Sequence, residues 1–366
     1  MRHSGITVVA AVLVVLATGG VVSGSQSASM QDGQAECSYP LEVTDATGET
    51  VTIEEEPDSV VAIAPSAAQT TWAVGAEGKV VGMPVGYTTA YLNGSENRTN
   101  VFNSDFAVIT EQVVGLEPDL VLAANINDND TVQNLRDSDL TVVKFEQAFS
   151  VDDVAVKTRL TGQVVGSCEQ ATTVNEQMNA TVEEVRSAAE SRERQSVYYA
   201  MGGGYTAGPN TFIGDVISTA GGDNIATAAD IQTYGEISEE VVVAENPDWI
   251  VTTSERNIPY STALNSTTAV QEDQIITVNG NYMSQPGPRI TGPLTKIADA
   301  FEATADSSET TTTTDGEETD TETTDSGATT TTDDGIDDTG SGFGPGFGIA
   351  GTVVAIVAAG LVGRRR

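Results

Sequence analysis

The sequence predicts an α/β protein of two lobes, each built on a mainly parallel sheet, joined by one long interlobe helix. Three observations predict it. From residue 59 onward, short apolar runs alternate with helical stretches, the rhythm of parallel strands buried by crossover helices. One arrangement occurs twice, 129 residues apart: EQVVGLEPDLVLA (111–123) and EVVVAENPDWIVT (240–252) each place a glutamate seven residues before a Pro-Asp pair and an apolar run after it. Between the halves, residues 169–192 carry no Pro or Gly and set Val174, Met178, Val182 and Val185 at helical spacing.

The elements follow in chain order. LEVTDATGETVTI (41–53) alternates in part around the turn signal Ala46-Thr47-Gly48, giving a short β start. SVVAIAP (59–65) is a buried strand ended by proline, and a helix from Ala67 to Val74 stops at Gly75. KVVGMP (79–84), DLVLAAN (119–125) and LTVVKF (140–145) supply three more strands, completing a first lobe over 38–150. Before each Pro-Asp pair a short helix is expected, because proline pushes the residue ahead of it out of the α region. Asp119 and Asp248 suit the turn that follows. Residues 151–193 form the interlobe helix, whose 169–192 portion would be about 36 Å long. The second lobe, 194–303, repeats the order: strands at SVYYAMG (196–202), DWIVTTS (248–254) and QIITVNG (274–280), a helix from Thr211 to Ala220, and a closing helix over 290–303 beginning around Pro293.

Both ends depart from globular composition. Residues 6–22 are apolar behind Arg2 and His3 and precede small residues, the pattern of a secretory signal peptide (1–29) cut somewhere among residues 24–35. The alternative is an uncleaved anchor. Residues 347–363 form a second apolar run ahead of Arg364, Arg365 and Arg366. With Pro345, Gly346 and Phe347 in front of it, this end (345–366) resembles the PGF-CTERM sorting signal of haloarchaeal surface proteins. The resemblance implies that a sortase-like enzyme removes the tail and a lipid replaces it, leaving the body on the extracellular face of the membrane. Residues 304–341 read as a disordered spacer, since 304–340 hold 15 Thr, 12 Asp or Glu and no Lys or Arg.

The chain of 366 residues carries a formal charge of −37, and residues 38–303 alone hold 39 acidic against 12 basic residues. Such self-repulsion opposes a compact state at low salt and is screened when the Debye length falls to about 3 Å at molar salt, which points to a halophile. No basic patch exists to bind nucleic acid. The single histidine, His3, lies in the signal, so no Ser-His or Cys-His catalytic pair and no His-containing metal site can form in the body. No nucleophile elbow or paired-acid constellation appears, and neither an enzyme nor a resident cofactor is expected. Export favours a disulfide between the two cysteines, Cys37 and Cys168, over two unpaired thiols. Sequons at Asn93, Asn97, Asn129, Asn179 and Asn265 are glycan candidates.

Taken together, DATGETVTI with SVVAIAPSAAQ, the twin EPDLVLA and NPDWIVT, TAGPNTFIGDVISTAGGDNIA (206–226) and QPGPRITGPLTKIADAF (285–301) resemble the helical-backbone (class III) solute-binding proteins of ABC importers for cobalamin, ferric siderophores or haem. The resemblance covers roughly residues 41–303. It implies a monomer with an interlobe cleft that delivers a corrinoid or ferric chelate to a permease and its ATPase, with one surface glutamate per lobe, Glu111 and Glu240, docking onto the permease. Ligands of open α/β sheets bind outside the carboxyl ends of the strands. Asn125 and Arg256 fall at such ends, as do Tyr87 and Tyr91 after the second strand, Met201 and Tyr205 around a triple glycine, and Tyr282 and Arg289 in the last loop. Aromatic rings offer flat apolar contact to a macrocycle or catechol, and arginines meet carboxylates or an anionic chelate. The tyrosines also suit half-buried packing, and Arg289 suits a structural ion pair. Cobalamin-binding members often carry an aromatic where this chain has Ala124, so the ligand stays open among the three. A surface signalling or adhesion module on the same scaffold is the alternative function.

Overall fold

A computed structural model describes residues 37–311. The expected signal peptide, the acidic Thr-rich segment beyond residue 311 and the Pro345-Gly346-Phe347 motif with its tail lie outside the described residues. In the first lobe, β1 (Leu41–Thr44) and β2 (Thr50–Ile53) form an antiparallel hairpin. There follow β3 (Val60–Ala62), α1 (Pro65–Ala73), β4 (Val80–Met83), β5 (Thr99–Asn100), α2 (Thr110–Val114), β6 (Leu120–Ala123), α3 (Asn129–Arg136) and β7 (Val142–Lys144). The five-stranded sheet runs β5-β4-β3-β6-β7 and is parallel throughout. Its central strands are apolar on every residue because both faces are covered. Ala62, Leu120 and Leu122 pack on the α1 side with Ala67 and Ala68, while Val61, Val121 and Ala123 pack with Val113, Val132 and Leu135 of α2 and α3. β5, only two residues long, is an edge strand too short to leave a periodic signal in the sequence.

Residues 151–193, expected as one interlobe helix, instead form two: α4 (Val151–Val165) and α5 (Cys168–Glu190). They run antiparallel, joined by the Arg186–Asp152 ion pair at 3.0 Å at one end and by contact of Gly162 with Ala171 at the other. The break has a local cause. Gly166 takes φ +79° and caps α4 in the left-handed region, where a side chain is costly. A Cβ on Gly162 would lie 2.3 Å from that of Ala171, so the hairpin closes only because that position is bare. This hairpin feeds both cores. Val164, Val165 and Ala171 join the first lobe, and Val151, Val154, Met178, Val182 and Val185 join the second. Cys37 and Cys168 are bonded, S–S 2.05 Å, tying the N-terminal segment to the start of α5.

The second lobe comprises β8 (Gln195–Ala200), β9 (Tyr205–Ala207), α6 (Phe212–Thr219), β10 (Gly222–Asn224), β11 (Tyr234–Glu236), α7 (Glu239–Glu245), β12 (Trp249–Thr252), α8 (Thr268–Gln271), β13 (Ile275–Thr277), α9 (Gly280–Ser284) and α10 (Thr291–Thr311). Its main sheet, β10-β8-β12-β13, is again parallel, and β9 pairs antiparallel with β11 beside it. α10 continues through Thr311, so the first eight residues of the segment read as a spacer from 304 are helical. Among the described residues, no helix is long and apolar enough to cross a membrane.

The repeated Pro-Asp has the same structural job in each lobe. Asp119 Oδ2 accepts hydrogen bonds from Asp58 N (3.0 Å), Ser59 N (2.8 Å) and Ser59 Oγ (2.8 Å), and Asp119 N donates back to Ser59 Oγ at 3.0 Å. Asp248 Oδ2 accepts from Ser196 N (2.8 Å) and Ser196 Oγ (2.9 Å), and Asp248 N donates to Ser196 Oγ at 2.9 Å. Each clamp fastens the amino end of one central strand to that of its neighbour, which leaves the carboxyl ends to the site.

Candidate functional site

In each parallel sheet the loops that leave the strands lie at one edge, their carboxyl ends. The two edges meet where the loop after β4 touches α9: Asn281 Nδ2 donates to Tyr87 O at 2.9 Å, and Gln285 Nε2 donates to Thr88 O at 2.9 Å. The candidate site is the space bordered by these loops.

On the first lobe, Tyr87 is 64% exposed and meets Phe106 edge to face, ring centroids 6.0 Å apart. Phe106, itself 47% exposed, takes φ +60°, a left-handed conformation unusual for a bulky side chain. A tight turn holds it there. Asn103 Oδ1 accepts from Asp105 N and Ala107 N, and Asn103 O from Phe106 N. Sequence reasoning missed Phe106, because a lone aromatic in a polar turn has no periodicity to mark it. Asn125 and Ile126 are exposed just past β6. The next residue, Asn127, is buried: its Nδ2 donates to Ile63 O at 2.9 Å and its Oδ1 accepts from Ala124 N at 2.8 Å, binding the ends of β6 and β3 together.

On the second lobe, Met201 and Tyr205 are exposed on either side of Gly202, Gly203 and Gly204, all at positive φ. Met201 N donates to Tyr205 O at 3.1 Å and Tyr205 N to Gly202 O at 3.0 Å, so the glycines close a tight turn. Tyr205 stands opposite Glu236 in the β9–β11 register, and that carboxylate pushes its phenol pKa up. Tyr234 in β11 is a further exposed ring that sequence reasoning missed. Arg256 is exposed in a single helical turn after β12. Among the described residues, no carboxylate forms an ion pair with Arg256 or Arg289.

Tyr91, Tyr282 and Arg289 come together at the lobe boundary and pack on one another. The two rings stand edge to face at 5.1 Å, and the Arg289 guanidinium lies 5.6 Å from both centroids. Tyr91 is half-buried. Its Oη donates to Gln285 Oε1 at 2.8 Å and accepts from Gln69 Nε2 at 2.9 Å, and burial pushes its pKa up to about 12. The phenol therefore remains a donor at neutral pH. Gln69 and Gln285 are further members of this junction, invisible in the sequence because the bonds that join them across the lobes span some two hundred positions.

Glu111 and Glu240 occupy the first turns of α2 and α7, both exposed. A helix leading into a parallel strand runs opposite to it, so both glutamates sit toward the carboxyl edge of their sheets. All five sequon asparagines are exposed. Among the described residues, no group of three or more His, Cys, Asp or Glu gathers to hold a metal.

A family model described as periplasmic binding protein matches residues 60–282. A "Cobalamin-binding protein" of Halobacterium salinarum is 38% identical over 379 aligned residues, covering 100% of this chain and 99% of that one. Among solved structures, the periplasmic vitamin B12 binding protein BtuF of Vibrio cholerae matches with a TM-score of 0.60 at 19% identity, over 68% of this chain and 98% of its own. The periplasmic heme-binding protein RhuT of Roseiflexus sp. RS-1 matches with a TM-score of 0.60 at 23% identity, over 68% and 99%. Both structural likenesses are of fold.

Proposed function

Because the chain belongs to the periplasmic binding protein family, we propose that it captures a corrinoid or ferric chelate between its lobes and hands it to an ABC permease and its ATPase. The solute-binding role in an ABC importer comes with the family; the ligand and the hand-over are our reading. The observation that carries it is the exposed Tyr87–Phe106 pair at the carboxyl edge, an apolar aromatic surface held in place by a strained turn. Exposed aromatic area of this kind offers flat contact to a large planar ligand and loses little entropy on binding. The cobalamin-binding relative supports the corrinoid class. Met201, Tyr205 and Tyr234 supply the facing contacts, with Asn125 and Arg256 as polar ones. Glu111 and Glu240 are the permease contacts, and their common placement on the helix before the clamped strand supports that role. The expected C-terminal lipid holds the protein at the outer membrane surface beside its transporter. The protein acts by binding and catalyses nothing.

The test is calorimetric titration in molar KCl with cyanocobalamin, a ferric hydroxamate and haemin, with Tyr87→Ala and Phe106→Ala alongside. One of the three should bind, and each variant should weaken it by about tenfold or more, in line with loss of a buried aromatic contact. Binding of none of them, or binding indifferent to both variants, defeats the reading. Charge reversal at Glu111 and Glu240 should abolish uptake and leave affinity unchanged; a loss of affinity would put the glutamates in the site instead.

A further inference from the structure

Thr88 and Tyr87 offer consecutive backbone carbonyls that receive their hydrogen bonds from the other lobe. Gln285 Nε2 reaches Thr88 O and Asn281 Nδ2 reaches Tyr87 O, both at 2.9 Å. The loop is also braced from within: Thr89 Oγ1 donates to Pro84 O at 2.7 Å and Ala90 N to Gly86 O at 2.8 Å. Those bonds shape the turn but leave carbonyls 87 and 88 to second-lobe amides. We propose that Gln285 is a positioning residue for the ligand: from the second lobe it sets the first-lobe loop that presents Tyr87. The functional half of this inference rests on the ligand reading above, and the mechanical half rests on the hydrogen bonds alone.

Three features distinguish Gln285 from a buried amide that merely fills space. It is 7% exposed, and its side chain uses both kinds of capacity twice. Nε2 donates to Thr88 O and to Asn281 Oδ1 (3.3 Å), and Oε1 accepts from Tyr91 Oη (2.8 Å) and Gln69 Nε2 (3.5 Å). Its backbone is referenced to the helical hairpin, since Lys157 Nζ in α4 donates to the adjacent Pro286 O at 3.0 Å. And its partner Gln69 is itself enclosed, fully buried with Gly287 against it, where a Cβ would lie 2.3 Å from Gln69 Oε1. Gln285 therefore connects a rigid part, the hairpin, to the loop that carries Tyr87, the most exposed aromatic ring of the first lobe. A glutamate in its place would lose both donors and set an oxygen against Thr88 O, so the amide is specifically required. With the loop held in advance, Tyr87 need not be ordered when ligand arrives, which preserves affinity that ordering would consume.

The experiment uses the full chain in molar KCl and the substitution Gln285→Met, similar in length and without strong donors or acceptors. Hydrogen exchange of the ligand-free protein should quicken by about tenfold or more over residues 84–91, while amides of β3 and β6 keep their rates. Cyanocobalamin, the probe, should bind about tenfold more weakly, as when only a fraction of molecules is binding-competent. In a Tyr87→Ala background, Gln285→Met should cost no further affinity, the sign that it acts through Tyr87. Unchanged exchange over 84–91 overturns the proposal, as does equal weakening in both backgrounds. If Gln285→Met does not fold, Tyr91→Phe removes a single hydroxyl of the same network and should quicken the same loop by a smaller factor; no change there also overturns it. Should the wild type ignore cyanocobalamin, the ligand class fails and the exchange measurement alone decides the mechanical claim.

Discussion

Asp119→Ala tests whether the repeated Pro-Asp is a clamp and not part of the ligand site. The substitution deletes an oxygen that accepts three hydrogen bonds, from Asp58 N, Ser59 N and Ser59 Oγ, at 2.8 to 3.0 Å. Bonds to a charged acceptor are worth about 1.5–3 kcal/mol when buried. Asp119 is exposed, so water replaces part of each bond, and about 0.5–1 kcal/mol per bond is the appropriate discount, giving about 2 kcal/mol in all. For a folded unit of this size that is a fall in unfolding temperature of roughly 4–8 °C. The charge adds a pH signature. The Ser59 hydroxyl, followed by the Ser59 and Asp58 amides, holds the Asp119 carboxyl below its ordinary pKa. Its stabilisation is thus fully present above the ordinary carboxylate range, about pH 4, and is lost as pH falls through the lower folded value. Thermal unfolding followed by circular dichroism in molar KCl is the assay, with Asp119→Asn added to isolate the charge. The gap between wild type and Asp119→Asn should be open at neutral pH and close on acidification. Asp248→Ala, which loses two bonds in the other lobe, should add to Asp119→Ala without coupling. A shift below about 1 °C, or a charge gap that survives acid, refutes the clamp; altered ligand affinity refutes its separation from the site.

Two further predictions concern stability. Lys157 is buried with no carboxylate beside it, and desolvation pushes its pKa down to about 7. The unfolded chain binds that proton up to about pH 10, so wild-type stability should rise with pH between these values; Lys157→Met should be more stable below pH 7 and lose its advantage as pH climbs, readable by urea unfolding across pH. Reduction of Cys37–Cys168 opens a closure of 131 residues and should cost about 4–5 kcal/mol on the chain-entropy account, seen as a fall in unfolding temperature with dithiothreitol that the Cys37→Ala/Cys168→Ala double variant reproduces without reductant.

Much of the fold was legible because buried parallel strands write themselves as uninterrupted apolar runs, and because Pro118-Asp119 and Pro247-Asp248 mark the same junction twice. What Asp119 and Asp248 grip was not legible: Ser59 and Ser196 lie 60 and 52 positions upstream, and a serine before a valine is unremarkable. The helical hairpin was read as one helix because its break consists of Gly166 and Ser167 alone, and the face pattern resumes on the far side. In the candidate site, Tyr87, Met201, Tyr205 and Arg256 were found as residues at strand ends. Phe106 and Gln285 were not, since one is defined by its backbone angle and the other by partners in the opposite lobe. Tyr91, Tyr282 and Arg289 were placed by their loops, with half-buried packing left open for the tyrosines; that the three pack on one another depends on contacts between loops some two hundred positions apart.

The helical hairpin also orders events in time. The chain visits the first lobe, touches the second from Ala148, and returns before leaving for good along α5, so the last residue the first core needs is Ala171. Everything required to finish that core, including the partner of Cys37, has been made some two dozen residues before β8 begins. A chain synthesised from its amino end therefore completes one lobe while the other is still unwritten, and that finished lobe carries, in the outer half of α5, the surface on which the second lobe condenses. Gln285 arrives near the end of this sequence, so the junction that aligns the lobes closes only after both have formed.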